Sequence, residues 1–208
     1  CAMLVAVVLG IPSGIISALK QNGWQDNILK ILTTILVSLP NFVIASGLMY
    51  ILGYKLELLP VALWGTPQQM IMPVLALSAY PLSYITKMMK SSMLEVMSSD
   101  YIRTARSKGV SKFMVTYKHA LKNAILPVIT VMGPMFAGII TGSLVVEKIF
   151  AIPGLGQQFT EAIFNRDYTM IMGLTIFYSI LLISSILIVD IVYAIVDPRI
   201  KLGKEKVE

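Results

Sequence analysis

Of 208 residues, 56% are hydrophobic and 13% charged, and the mean hydropathy is +0.79, a balance far from the soluble average that excludes a single soluble domain. The net charge of +6 would suit a nucleic-acid binder, but the basic residues punctuate an apolar chain instead of clustering on a soluble module, which excludes nucleic acid as a partner. Cys1 is the single cysteine, so no disulfide forms within the chain and no metal-site spacing exists.

Five uncharged runs approach or exceed the roughly 20 residues that cross a bilayer. They predict an all-α integral membrane domain over residues 1–197, with spans at about 1–19, 31–54, 70–89, 123–146 and 168–190, followed by a tail at 198–208. In the first span Gly10 and Gly14 lie four apart on one helix face, which permits close packing, and Pro12 favours a kink. Pro40-Asn41 interrupts the second run. The third run is longer than one span needs, so Pro60, Trp64, Gly65 and Pro67 are assigned to an external loop and the span starts near Met70.

Between Lys87 and Lys122 stand eight basic residues against Glu95 and Asp100 alone, with the loop proper at 90–122. A charge-dense loop between apolar runs lies outside the bilayer, and its Lys/Arg excess places it in the cytoplasm. Two helices are expected there. Ser98 or Ser99 caps the first, Gly109 ends it in the left-handed conformation after Lys108, and Ser111 caps the second. Tyr101, Ile102 and Ala105 share an apolar face opposite Arg103 and Arg106, while Phe113, Tyr117, Ala120, Leu121 and Ala124 form the stripe of the second helix.

In the fourth span Gly138 and Gly142 repeat the four-residue spacing. Beyond it, Pro153-Gly154-Leu155-Gly156 predicts an external helix and turn, followed by Asn165-Arg166-Asp167-Tyr168. Asp190 is read as the one carboxylate drawn into a span, in a structural pairing with Arg199 or Lys201. His119 has no second ligand or acid at useful spacing and is read as an interfacial side chain.

The string Asp100-Tyr101-Ile102-Arg103-Thr104-Ala105-Arg106-Ser107-Lys108-Gly109, followed by His119 to Pro127, resembles the cytoplasmic signature loop of ABC importer permeases in its oligopeptide/dipeptide form. The generic Glu-Ala-Ala reads Arg103-Thr104-Ala105 here, a departure typical of the peptide branch. The Pro153 to Gly156 turn and Asn165 to Tyr168 are similar to the external loop of the first, or B-type, peptide subunit, and Asp197-Pro198-Arg199 to the family's exit from its last span. The resemblance implies a type I importer transmembrane domain with five of six spans present, the front of the protein being absent from this sequence. It implies a coupling loop formed by Asp100, Tyr101, Ile102, Arg103, Thr104, Ala105, Arg106, Lys108 and Gly109.

The same likeness implies as partners a second, C-type permease subunit, two ABC ATPase subunits, an extracytoplasmic solute-binding protein and membrane lipid, in the cytoplasmic membrane of a bacterium or archaeon. No Gly-x-x-x-x-Gly-Lys-Ser/Thr loop occurs in the chain, so ATP with magnesium is expected on the separate ATPase chains and no cofactor on this one. The expected function is half of a translocation pathway for oligopeptides or dipeptides, with nickel, glutathione or another small solute as alternatives on the same scaffold. An intramembrane enzyme is disfavoured, because the spans offer hydroxyls but neither a histidine base nor paired acids.

Five spans with a cytoplasmic central loop put fourteen of the seventeen basic residues inside, leaving Lys55, Lys148 and Arg166 outside. In a Cys1→Ser background, single substitutions Ala105→Cys, Leu155→Cys and Gly203→Cys test this orientation with an impermeant thiol reagent on intact cells. Only the Leu155→Cys protein should be labelled; labelling at 105 would invert the topology.

Overall fold

The computed structural model describes the backbone of residues 1–140 and 144–196, and the side chains of these except 140, 189, 190 and 192–196. The described residues are helical, without strands, as the composition requires. The chain runs through α1 (Ala2–Leu19), α2 (Trp24–Ser38), α3 (Asn41–Leu48) with a π-helical continuation (Met49–Lys55), and α4 (Pro67–Ser98). It continues through α5 (Asp100–Ser107), α6 (Lys112–Met114), a π-helical turn (Val115–Ala120), α7 (Leu121–Ala124), α8 (Leu126–Ile140), α9 (Leu144–Ile149), α10 (Leu155–Phe164) and α11 (Tyr168–Val196).

The centre is α4, against which α1, α2, α3, α5, α7, α8 and α9 all pack. Its start is set locally: Thr66 and Gln69 form a reciprocal capping box and Pro67 occupies the first turn, where its missing N–H costs nothing. At 1.5 Å per residue it is about 48 Å long and extends beyond the predicted span into the central loop. Lys87 and Lys90 therefore lie on this helix. Two helices of the described residues, Ala2–Leu19 and Tyr168–Ile188, are long and apolar enough to cross a membrane. The first part of α4 is less apolar, carrying Pro73, Ser78, Tyr80, Pro81, Ser83 and Tyr84, and it is sheathed by its neighbours.

Two expected spans are not straight. The run at 31–54 turns through 104° between α2 and α3, because Pro40 forces Leu39 out of the helical region and supplies no donor to continue the ladder. The run at 123–146 is divided among α7, α8 and α9, and the segments on either side of Ile125 meet at 47°.

The α1–α4 contact follows the glycine spacing. A Cβ on Gly10 would lie 2.9 Å from Ile85 Cγ2, and one on Gly14 would lie 2.5 Å from Met89 Cβ and 2.7 Å from the Thr86 carbonyl oxygen. The main core forms along this seam, with Met3, Ala6, Ile15, Ile85, Met89 and Met93 at its centre. A second core gathers Ala45, Met72, Ala76, Val146 and Phe150 towards the other end of α4. The fourth-span pair behaves differently: a Cβ on Gly138 would meet nothing within 4 Å, and Gly142 lies outside the described residues.

Gly14→Leu should lower the melting temperature of the detergent-solubilised protein, with an overpacking cost of about 1–3 kcal/mol or more, since the obstructing atoms include backbone. Gly138→Ala should leave it nearly unchanged. Equal melting of the two variants would show that the α1–α4 seam is loose.

Candidate functional site

The predicted coupling helix is α5. Ser99 occupies the position before it, yet its hydroxyl donates to the Val96 carbonyl at 2.6 Å and that of Ser98 to Glu95 at 2.7 Å, so neither serine caps α5. Both close the end of α4 instead. The far end follows the sequence reading: Gly109 has φ +77° and donates to the Arg106 carbonyl at 3.0 Å, Lys108 bonds Thr104, and Ser111 Oγ accepts from Met114 N–H at 3.4 Å.

The apolar face of α5 points into the protein. Ile102 is fully buried in the core that holds Met93, Val115 and Ala120, and Ala105 and Val110 pack against the same cluster. The face covers the chain's own core, and its burial anchors α5 to α4 and the following turn. The outward stripe is Asp100, Arg103, Thr104 and Ser107, spaced i, i+3, i+4 and i+7 and all exposed. Arg103 reaches Asp100 at 3.8 Å, and Thr104 donates to the Asp100 carbonyl at 2.9 Å. Tyr101 accepts from Asn123 Nδ2 at 2.8 Å, tying α5 to α7, and Arg106 approaches Met97 Sδ at 3.8 Å.

The stripe expected in the second helix is also altered. Val115, Thr116, Ala120 and Ala124 are buried, while Phe113 and Tyr117 stand out with ring centroids 4.5 Å apart. The π-helical turn at Val115–Ala120 accommodates an extra residue and shifts the register between the two ends of this segment. His119 is half-buried, and no group of His, Cys, Asp and Glu among the described residues could hold a metal ion.

On the opposite flank, Pro153-Gly154-Leu155-Gly156 wraps a carboxylate. A Cβ on Gly154 would lie 2.3 Å from Glu147 Cδ, and one on Gly156 would lie 3.0 Å from Glu147 Oε2, the atom that accepts from Gln157 N–H at 3.1 Å. Glu147 thus satisfies a donor in the first turn of α10, the electropositive end of that helix. Pro153 and Leu155 are exposed. Asp167 accepts from Met170 N–H at 3.0 Å and opens α11, so the Asn165 to Tyr168 string is a helix stop and start.

Between α3, α4 and α8 lies a cavity of about 770 Å³, lined among others by Asn41, Tyr80, Tyr84, Thr130, Pro134 and Gly138. Tyr80 and Tyr84 hold their rings 6.2 Å apart on one face of α4. Three hydroxyls in the predicted spans, those of Thr33, Ser78 and Ser83, are buried and donate to the carbonyls of Leu29, Leu75 and Thr33.

Sequence reasoning missed the buried carboxylate. Asp26 is fully buried and accepts from Ser17 Oγ, from Asn22 N–H at 2.9 Å, from Lys30 Nζ at 3.0 Å and from Lys90 Nζ. These donors come from α1, the following turn, α2 and α4. The signal in the sequence was Asp26 four residues before Lys30, but that pattern usually marks a solvated helix face. The side chain of Asp190, and Arg199 and Lys201, lie outside the described residues.

Residues 10–202 match the model of the binding-protein-dependent transport system inner membrane component. The chain belongs to this family. It is therefore an integral membrane component of transport-permease type, with the type I importer transmembrane fold. The chain is 48% identical over 204 residues to a dipeptide transport system permease protein of Bacillus subtilis, with 98% of this chain covered. Against oligopeptide transport system permease proteins of Haemophilus influenzae and Salmonella typhimurium the identities are 45% and 43%, each with 96% covered. The chain spans 66% of the length of each of these relatives.

Within this family member, Asp26→Leu, which removes the partner of Lys90, should destabilise by about 3–5 kcal/mol, and Lys90→Met by less, because Lys30, Ser17 and Asn22 still serve the Asp26 carboxylate. The double variant Asp26→Leu/Lys90→Met should recover most of that loss. Lys30, half exposed, should matter by at most about 1 kcal/mol. Thermal unfolding of the four proteins in one detergent reads the cycle; additive losses in the double variant would refute a direct pairing.

Proposed function

We propose that this chain is a membrane subunit of an ATP-driven importer of oligopeptides or dipeptides, forming half of the translocation pathway with a second, similar subunit. Two ATPase subunits carry ATP and magnesium, and an extracytoplasmic binding protein delivers the solute. The family and the names of its relatives support the class of solute. The observation that carries the mechanism is α5, a short helix fixed to the bundle by Ile102 and presenting Asp100, Arg103, Thr104 and Ser107 outward.

That arrangement suits force transmission. A push on the outer stripe passes through Ile102 and Ala105 into α4, and through the Asp26–Lys90 pair into α1 and α2. The cavity bordered by Asn41, Tyr80, Tyr84 and Thr130 gives this half of the pathway a wall of two phenol rings, one amide and one aliphatic hydroxyl. No Lys or Arg lines it among the described residues, so a peptide carboxylate meets no fixed cation there. Such a wall hydrates and guides without gripping, and solute choice rests with the binding protein. The loop at 90–122 and the tail face the cytoplasm, in keeping with the distribution of basic residues.

The test is uptake of a labelled tri- or tetrapeptide into proteoliposomes containing the complete transporter, its binding protein and internal ATP, with nickel as competing cargo. Peptide uptake supports the reading; nickel uptake without peptide uptake overturns it. The face assignment has its own test. Thr104→Trp, on the outer stripe, should leave the melting temperature within a degree or two but release the ATPase subunits. Ala105→Trp should first lower the melting temperature, overpacking the inner contact by roughly 1–3 kcal/mol. The reverse pattern would mean that Ala105 faces the ATPase.

A further inference from the structure

At the loop end of the bundle, a second pocket of about 450 Å³ opens between α1, α4 and the α5–α6 connection. Leu19, Met97, Val110 and Val115 form its apolar wall, and Arg106 and Lys112 stand in its lining. Among the described residues neither cation is in an ion pair: Asp100 is engaged by Arg103, and the other acid of this region, Glu95, is exposed without a basic partner. Lys20 and Lys108, both exposed, follow the ends of α1 and α5 and add positive charge on this side.

The pocket is thus half hydrocarbon-like and half cationic, and its apolar half is continuous with an exposed side of α1. Leu19 is the last residue of α1, a helix apolar enough to cross a bilayer, and Ile16 and Leu19 are both exposed on it. We propose that this pocket binds an anionic phospholipid, with the headgroup phosphate between Arg106 and Lys112 and the start of an acyl chain along Leu19, Met97, Val110 and Val115. Arg offers a planar donor pair to phosphate oxygens and Lys a point charge, which together suit one phosphate. Basic pockets between helices at the cytoplasmic end of a bundle are suited to acidic lipid headgroups. An acidic side chain from a soluble partner would satisfy the cations but leave the apolar wall uncovered, whereas a lipid covers both. The bound lipid would brace α5 and α6 against the end of α1. The proposal rests on the membrane placement of the chain and goes beyond the transport reading.

The experiment uses the complete transporter in nanodiscs of phosphatidylcholine containing a small fraction of photoreactive phosphatidylglycerol, with cross-linked peptides mapped by mass spectrometry. Cross-links should fall within residues 97–116 and beside Leu19, and be competed by unlabelled phosphatidylglycerol, but not by phosphatidylcholine or inorganic phosphate. Arg106→Gln/Lys112→Gln should reduce them about 25-fold, as each basic side chain near an anionic surface contributes about fivefold. Lys118→Gln/Lys122→Gln, exposed cations outside the pocket, should change them less than twofold. Equal loss in both double variants would reduce the effect to a general positive surface and overturn the site. Competition by inorganic phosphate alone would overturn the lipid assignment, and cross-linking restored only when the ATPase subunits are stripped away would assign the cations to that partner. Peptide uptake is read in parallel in proteoliposomes of the same lipid composition, so a transporter that fails uptake yet cross-links normally contradicts the functional reading and not this one.

Discussion

One buried carboxylate organises the loop end of this bundle. Asp26 cannot be ionised in a low-dielectric interior unless donors surround it, and Ser17, Asn22, Lys30 and Lys90 supply them from separate elements. Apolar packing alone would allow α1, α2 and α4 to slide along one another, since dispersion contacts are non-directional. A charged node fixes their relative heights. The close approach of α1 to α4 at Gly10 and Gly14 then sets their separation, and the two constraints act on the same pair of helices.

With these helices locked together, the loop that follows α4 gains a firm base. α5 is only eight residues long, too short to persist alone in water. Its order comes from Ile102 in the core and from the Tyr101–Asn123 hydrogen bond, which tie it to the helices before and after it. The cationic residues are left outward or beside the pocket because the small apolar side chains have been used inward. Charge on the outer surface is thus a result of how the helix is anchored, and the same anchoring makes it a stiff lever.

Local features were legible in the sequence. The glycine spacing in α1, the left-handed Gly109, the Ser111 cap and the turn at Pro153 to Gly156 are all set by backbone chemistry within a few residues, and each is found where the residues place it. What the sequence hid depends on contacts across the chain. Lys90 meets Asp26 across 64 positions, a pairing that no local pattern marks. The face of α5 was ambiguous because an amphipathic helix has an apolar side whether it covers its own core or a partner's. The outward turn of Phe113 and Tyr117 follows from a π-helical insertion that α-helical periodicity cannot anticipate. Proline at 40 announced an interruption, but not a corner of 104°.

The turn around Glu147 has a consequence on the scale of descent with variation. A side chain at position 154 would have to push aside the Glu147 carboxylate, the far end of a flexible side chain, and position 156 is crowded by the same oxygen. The acid and the two glycines are therefore coupled. Moving the carboxylate to admit a side chain at 154 takes its oxygen from the Gln157 N–H, while losing the acid opens the space at 154 and removes that acceptor. Substitutions in this stretch should accumulate in concert, with the acid as the residue that decides when the glycines are free to change.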